Sequence, residues 1–137
     1  AERDYSVGTP TEQLTGFMHG YWTFLRSPAY GALHRMVISE LRNFPELAEF
    51  YSVEVIQRGM RLLTEIIQRG IDAGEFRPMD ARVAARGMSA MFIAHAIWCA
   101  DRACFTHVGH TSDDELLAEL RDFFLHAIRP AATDRPA

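Results

Sequence analysis

The stretch Val83-Ala84-Ala85-Arg86-Gly87-Met88-Ser89-Ala90-Met91-Phe92-Ile93-Ala94-His95-Ala96-Ile97-Trp98-Cys99-Ala100 decides how this chain folds. Only Arg86, Ser89 and His95 are polar in it, and nothing in it alternates with the period of two that a half-buried strand requires. At this length it reads as a helix, and as one that is apolar nearly all round. A surface helix of a monomer keeps a wet face. The pattern therefore predicts burial on two sides, once by the helix's own domain and once by a second copy. The other arrangement that meets the demand is a central helix wrapped wholly by its neighbours, which so short a chain supplies poorly.

The residues on either side extend the same grammar. Asp80 is placed to cap the start of this helix, which runs to about Arg102. Downstream, Ser112 precedes Asp113, Asp114 and Glu115, acids that suit the positive end of a further helix. That helix carries Leu116, Leu117, Leu120, Phe123, Phe124 and Ile128 and ends before Pro130. Upstream, Thr9-Pro10-Thr11-Glu12 has the form of a capped helix start. Leu14, Phe17, Met18, Tyr21, Trp22 and Leu25 then recur at spacings of three and four. Ser27-Pro28 separates a second helix, with Leu33, Met36, Val37, Glu40 and Leu41, which stops at Asn43-Phe44-Pro45. A long third helix is expected from Pro45 to Asp72, its stripe formed by Leu47, Phe50, Val53, Ile56, Met60, Leu63, Ile67 and Ile71. Gly59 should weaken or kink it, and Ala73-Gly74 should end it.

The expected fold is all-α, with five helices and room for one short extra turn. The domain spans residues 9–130, between frayed segments 1–8 and 131–137. Pairing of the last two helices with those of a second copy gives a dimeric four-helix bundle. Val83, Gly87, Ala94, Leu116, Leu120, Phe123 and Phe124 are the residues expected to carry this homodimer. An interface of that kind buries ~2,000 Å² or more.

Composition narrows the function. The formal net charge is −4, and no basic excess marks a nucleic-acid surface. All 14 basic residues are Arg, a skew read as a trace of genome composition. There is no apolar h-region at the start, and no uninterrupted apolar run reaches the ~18 residues of a membrane span. Cys99 and Cys104 read as reduced thiols of a cytoplasmic protein. No G-x-S-x-G, phosphate-binding glycine cluster or carboxylate pair suggests catalysis, and no cofactor is expected. Cys99, Cys104, His107 and His110 could hold a metal in an alternative reading as a helical metal-binding protein or enzyme. Their spacing fits none of the usual zinc patterns, so no metal is assigned.

The aromatic and methionine stripes suggest more. Phe17, Met18, Tyr21, Trp22, Met36, Phe50, Tyr51, Met91, His95 and Trp98 either form a solid core or line a cavity for a small, mainly apolar or aromatic molecule. Buried Tyr, Trp and His need partners for their polar atoms, and a ligand can supply them. His95 is the sharpest candidate, a lone polar ring in an apolar helix. A plain dimerisation module with no ligand is the contrasting outcome.

Three runs carry a resemblance. His34-Arg35-Met36-Val37-Ile38-Ser39-Glu40-Leu41-Arg42-Asn43-Phe44-Pro45-Glu46-Leu47, then Ile67-Gln68-Arg69-Gly70-Ile71-Asp72-Ala73-Gly74-Glu75-Phe76-Arg77, then Asp80-Ala81-Arg82-Val83-Ala84-Ala85-Arg86 stand in order along the chain. The set resembles the C-terminal domain of tetracycline-repressor family regulators, over about Thr11 to Arg129. The resemblance implies a cytoplasmic homodimeric repressor in which a small-molecule effector alters the spacing of two DNA-reading heads. It also implies that residues 1–8 are the tail of a connection to a helix-turn-helix headpiece absent from this sequence. DNA would be bound only through that headpiece.

Overall fold

The computed structural model describes residues 7–40, 43–100 and 112–132, and these are helical with short connections. Helix α1 is Pro10–Leu25, α2 Pro28–Glu40, α3 Pro45–Tyr51, α4 Arg58–Asp72, α5 Ala81–Ala100 and α6 Asp113–Ile128. The starts obey the sequence. Thr9 and Ser112 each close a capping box with Glu12 and Glu115, satisfying two backbone donors apiece. Asp80 accepts from the Arg82 backbone N–H at 2.8 Å and so caps α5.

The expected third helix is corrected. A π-helical segment, Ser52–Gln57, separates α3 from α4, so one predicted helix is two. The irregularity lies ahead of Gly59 rather than at it. Bonding of the i→i+5 kind changes the turn, and a stripe drawn at 3.6-residue spacing loses its phase there. The consequence is visible in burial: Leu63, Ile66 and Ile67 are enclosed, whereas Leu47, Phe50, Val53 and Ile56 face solvent.

The body consists of α1, α4, α5 and α6. Leu14 and Met18 of α1 share a core with Leu63 and Ile66 of α4, Met88 and Phe92 of α5, and Leu120 and Phe124 of α6. The broadest packing is that of α4 on α5 and on α1. Arg26, at the end of α1, donates to both carboxylate oxygens of Asp113 at 2.9 and 3.2 Å, tying α1 to the start of α6. The remaining elements, α2, α3 and the π segment, form an arm. Tyr30 roots it, with its ring centroid 5.0 Å from Phe24 and 5.7 Å from His34.

Where α4 ends, the chain makes a clasp. Gly74 takes φ +73°, and the Glu75 and Gly74 N–H groups return to Gly70 and Ile71 carbonyls, a Schellman ending. Phe76 then folds back so closely that a Cβ at residue 70 would overlap its ring. Glu75 is left to accept from Thr11 N and Oγ1 at 3.0 and 2.6 Å. Arg77 donates to the carbonyls of Ile128 and Ala127, capping the end of α6. One short loop thus joins the end of α4, the start of α1 and the end of α6.

Helix α5 alone among the described helices is long and apolar enough to cross a membrane. It buries one side in the body. Ala81, Ala85, Met88, Phe92, Ala96 and Cys99 form one buried stripe along it.

Two glycines of α4 should respond to the same substitution with opposite signs. Gly70→Ala drives a methyl into Phe76 and should cost about 1–3 kcal/mol in urea denaturation. Gly59→Ala meets nothing within 4 Å and should gain about 0.5–1 kcal/mol.

The caps predict an acid response. The Arg82 backbone N–H holds the Asp80 carboxyl below its ordinary value, and the Ser112 backbone N–H does the same for Glu115. A depressed carboxylate stabilises the fold above its unfolded-state pKa and loses that contribution as pH falls through the folded value. Stability should therefore decline below about pH 4. In the Asp80→Asn, Glu115→Gln double variant, thermal unfolding followed against pH should show a shallower decline.

Candidate functional site

Nine of the ten residues expected to surround a ligand have described side chains, and these nine do not converge on one cavity. Phe17, Met18 and Trp22 belong to the solid core, at 8, 0 and 4% exposure. Tyr21 is half-buried beside them. Its ring lies 5.7 Å from Phe17 and 6.1 Å from Phe92, and Trp22 meets Phe92 edge-on at 6.0 Å. The polar atoms of this cluster fare differently. Tyr21 Oη shares a hydrogen bond with Ser89 Oγ at 2.8 Å. Trp22 Nε1 is buried with no acceptor among the described residues, and an unmet donor of that kind costs ~1–3 kcal/mol.

His95 and Trp98 stand elsewhere. Their rings are 4.9 Å apart, and both are half-buried, as is Met91. His95 Nδ1 lies 2.8 Å from the Met91 carbonyl one turn back. A carbonyl only accepts, so the hydrogen sits on Nδ1 and Nε2 is left for another partner. At 3.6 residues per turn, Trp98 lies about 180° and His95 about 120° around α5 from Ser89. The Tyr21–Ser89 contact and the His95–Trp98 pair therefore occupy different flanks of one helix.

Met36 and Phe50 lie on the arm and are exposed, Phe50 at 62%. The side chain of Tyr51 lies outside the described residues. The same arm exposes Phe44, Leu47, Val53 and Ile56, and α1 adds Phe24 at its root. None of these five was singled out by sequence as a site residue. The spacing of Leu47, Val53 and Ile56 is that of a core stripe, and pattern alone cannot distinguish core from an uncovered wall. Three consecutive elements thus carry large apolar groups in water beside a well-packed body.

A separate cleft of about 260 Å³ opens between α1 and α6, lined by Thr15, Gly16, Met18, His19, Leu117 and Arg121. Of the ten, only Met18 touches it.

The residues expected at a dimer face divide cleanly. Val83 and Phe123 are 55 and 69% exposed, Gly87 is exposed and Ala94 half-buried. Val83 lies about 180° around α5 from the buried Phe92, so this face points away from the core. Leu116, Leu120 and Phe124 are instead buried within their own chain. The period of α6 carries them inward, on the stripe that meets α1 and α5.

Cys99 is buried as a free thiol. Cys104, His107 and His110 lie outside the described residues, and no cluster of three metal-ligating side chains occurs among those described.

A family profile described as "AefR-like transcriptional repressor, C-terminal domain" matches residues 12–129. No curated protein and no solved structure matches the chain. The matched span runs from the capped first turn of α1 to the end of α6, so it takes in the body, the arm and the clasp together. By that match, and by an all-helical fold that agrees with it, the chain belongs to the tetracycline-repressor C-terminal domains, in the AefR-like group of transcriptional repressors.

Proposed function

We propose that this domain receives a small, mainly apolar or aromatic effector between its arm and its body, and pairs with a second copy through α5 and α6. The observation that carries the effector half is the contrast between the two parts of the chain. The body is closed over Leu14, Met18, Leu63, Ile66 and Phe92, while the arm holds Met36, Phe44, Leu47, Phe50, Val53 and Ile56 uncovered. An occupant that covers those groups draws the arm onto the body and favours one position of α4. The half-buried Met91, His95 and Trp98, which share one flank of α5, are candidates to meet it from the body side. In this reading the domain serves a cytoplasmic repressor, and the effector acts by changing the spacing of two DNA-reading heads.

Thermal shift measurements test the effector half. A panel should run from planar aromatics through alkyl chains to charged sugars. Aromatic compounds should raise Tm, since a ligand at 100 times its Kd adds ~2.7 kcal/mol to the native state. Phe50→Glu should remove the response without lowering the ligand-free Tm. A panel with no stabilising compound would leave a pure dimerisation module.

The dimer half makes a separate demand. Phe123 is exposed in the single chain and Leu120 is not. Phe123→Glu should give a folded monomer in analytical ultracentrifugation, because it places a charge in a face that the partner covers. Leu120→Glu should instead unfold the chain. A Phe123→Glu protein that sediments as the wild-type dimer sinks the proposed interface.

A further inference from the structure

We infer that Arg69, Gln13 and Gly8 form a polar relay that carries displacements of α4 to the backbone leading into α1. Gln13 is 7% exposed and is the one buried polar side chain among the described residues. Its Oε1 accepts from Arg69 Nη2 and Nε at 2.8 and 3.2 Å. Its Nε2 donates to the Gly8 carbonyl at 3.0 Å. The chemistry fixes the direction of this chain of bonds. A guanidinium only donates and a backbone carbonyl only accepts, so the group between them must accept on one side and donate on the other. A side-chain amide does both, and Arg69 settles which end faces which way. A Glu at 13 would hold the arginine but could not reach the carbonyl as a donor. A Leu would do neither.

The placement gives the relay its consequence. Arg69 sits in the last turn of α4, whose other end continues into the π segment and the arm. Gly8 precedes the Thr9 cap, at φ +95°, a conformation that suits glycine and few other residues. The neighbouring Glu75 link ends on Thr11, inside α1. Gln13 reaches beyond the helix. A shift of the last turn of α4 therefore pulls on the amide, and the amide pulls on the segment before α1. This rests on the arm being the place where the effector enters, since that is what moves α4.

The relay can be tested without any ligand, by ¹⁵N relaxation of the full chain and two variants. In the wild type, Val7 and Gly8 should have order parameters near the ~0.85 of rigid backbone. Gln13→Glu keeps the Arg69 contact and the side-chain shape but removes the donor, so Gly8 should fall below ~0.6 while the end of α4 stays rigid. Arg69→Met leaves the Gln13 side chain intact and touches Gly8 nowhere. The relay requires Gly8 to loosen in this variant as well, and the Gln13 side-chain N–H₂ resonances to lose protection from exchange. If Arg69→Met leaves Gly8 at its wild-type value while Gln13→Glu loosens it, Gln13 is a local staple and the relay is overturned. If Arg69→Met loosens Gly8 but no aromatic compound shifts Tm, the relay stands and the effector reading fails.

Discussion

Phe76 occupies the space that a Cβ at residue 70 would need, and much of the rest hangs on that contact. The ring can reach the backbone of α4 only because Gly70 is bare and because Gly74 turns the chain back at positive φ. Seating Phe76 sets where its neighbours fall. Glu75 is delivered to the first turn of α1 and Arg77 to the last carbonyls of α6. These bonds are worth about 0.5–1.5 kcal/mol each, more where a charged group takes part. Their larger effect is geometric, because they fix three helix ends against one another at one corner. Packing along α1, α4, α5 and α6 then has a common origin.

The opposite end of α4 is built on other terms. The π segment lies where the buried stripe gives way to the exposed one, and among the described residues the arm beyond it has few of the contacts that hold the body. Elements with few buried apolar contacts open at low free-energy cost. A domain with one rigid corner and one lightly held arm on the same helix has the mechanical form of a lever. Ile66 and Ile67, enclosed in the core, stand between the two ends.

Much of this was legible in the sequence, and the limits have physical causes. The starts at Thr9, Asp80 and Ser112 and the stop at Gly74 follow from local backbone chemistry, which a few adjacent residues determine. Burial is a different kind of property. Leu47 and Leu63 differ little in their immediate surroundings, yet one is exposed and the other enclosed. Six π-helical residues lie between them, and the stripe's phase does not survive that interval. The expected ligand set failed to converge for a related reason. Spacing along a helix says which residues share a face, and Met91, His95 and Trp98 do share one, but it does not say what that face meets. Choosing among faces requires knowing where the neighbouring helices lie, and for α1 and α5 those neighbours are distant in sequence.

Helix α5 gathers these threads. Its sequence carries too little polarity for one wet side, and the structure resolves this by giving it two unlike ones. Met88 and Phe92 belong to the body, while Val83, Gly87 and Ala94 look away from it. Small residues, Gly87, Ala90 and Ala94, line the outward side between Val83 and Ile97, so a second helix could approach it closely. The inward side is locked to α4, the helix that joins arm to clasp. A partner covering the outward side would therefore restrain the same helix against which α4 would move under the proposed effector response. The position of α4 would then depend on both the occupant at the arm and the second copy at α5, and neither could change without the other feeling it.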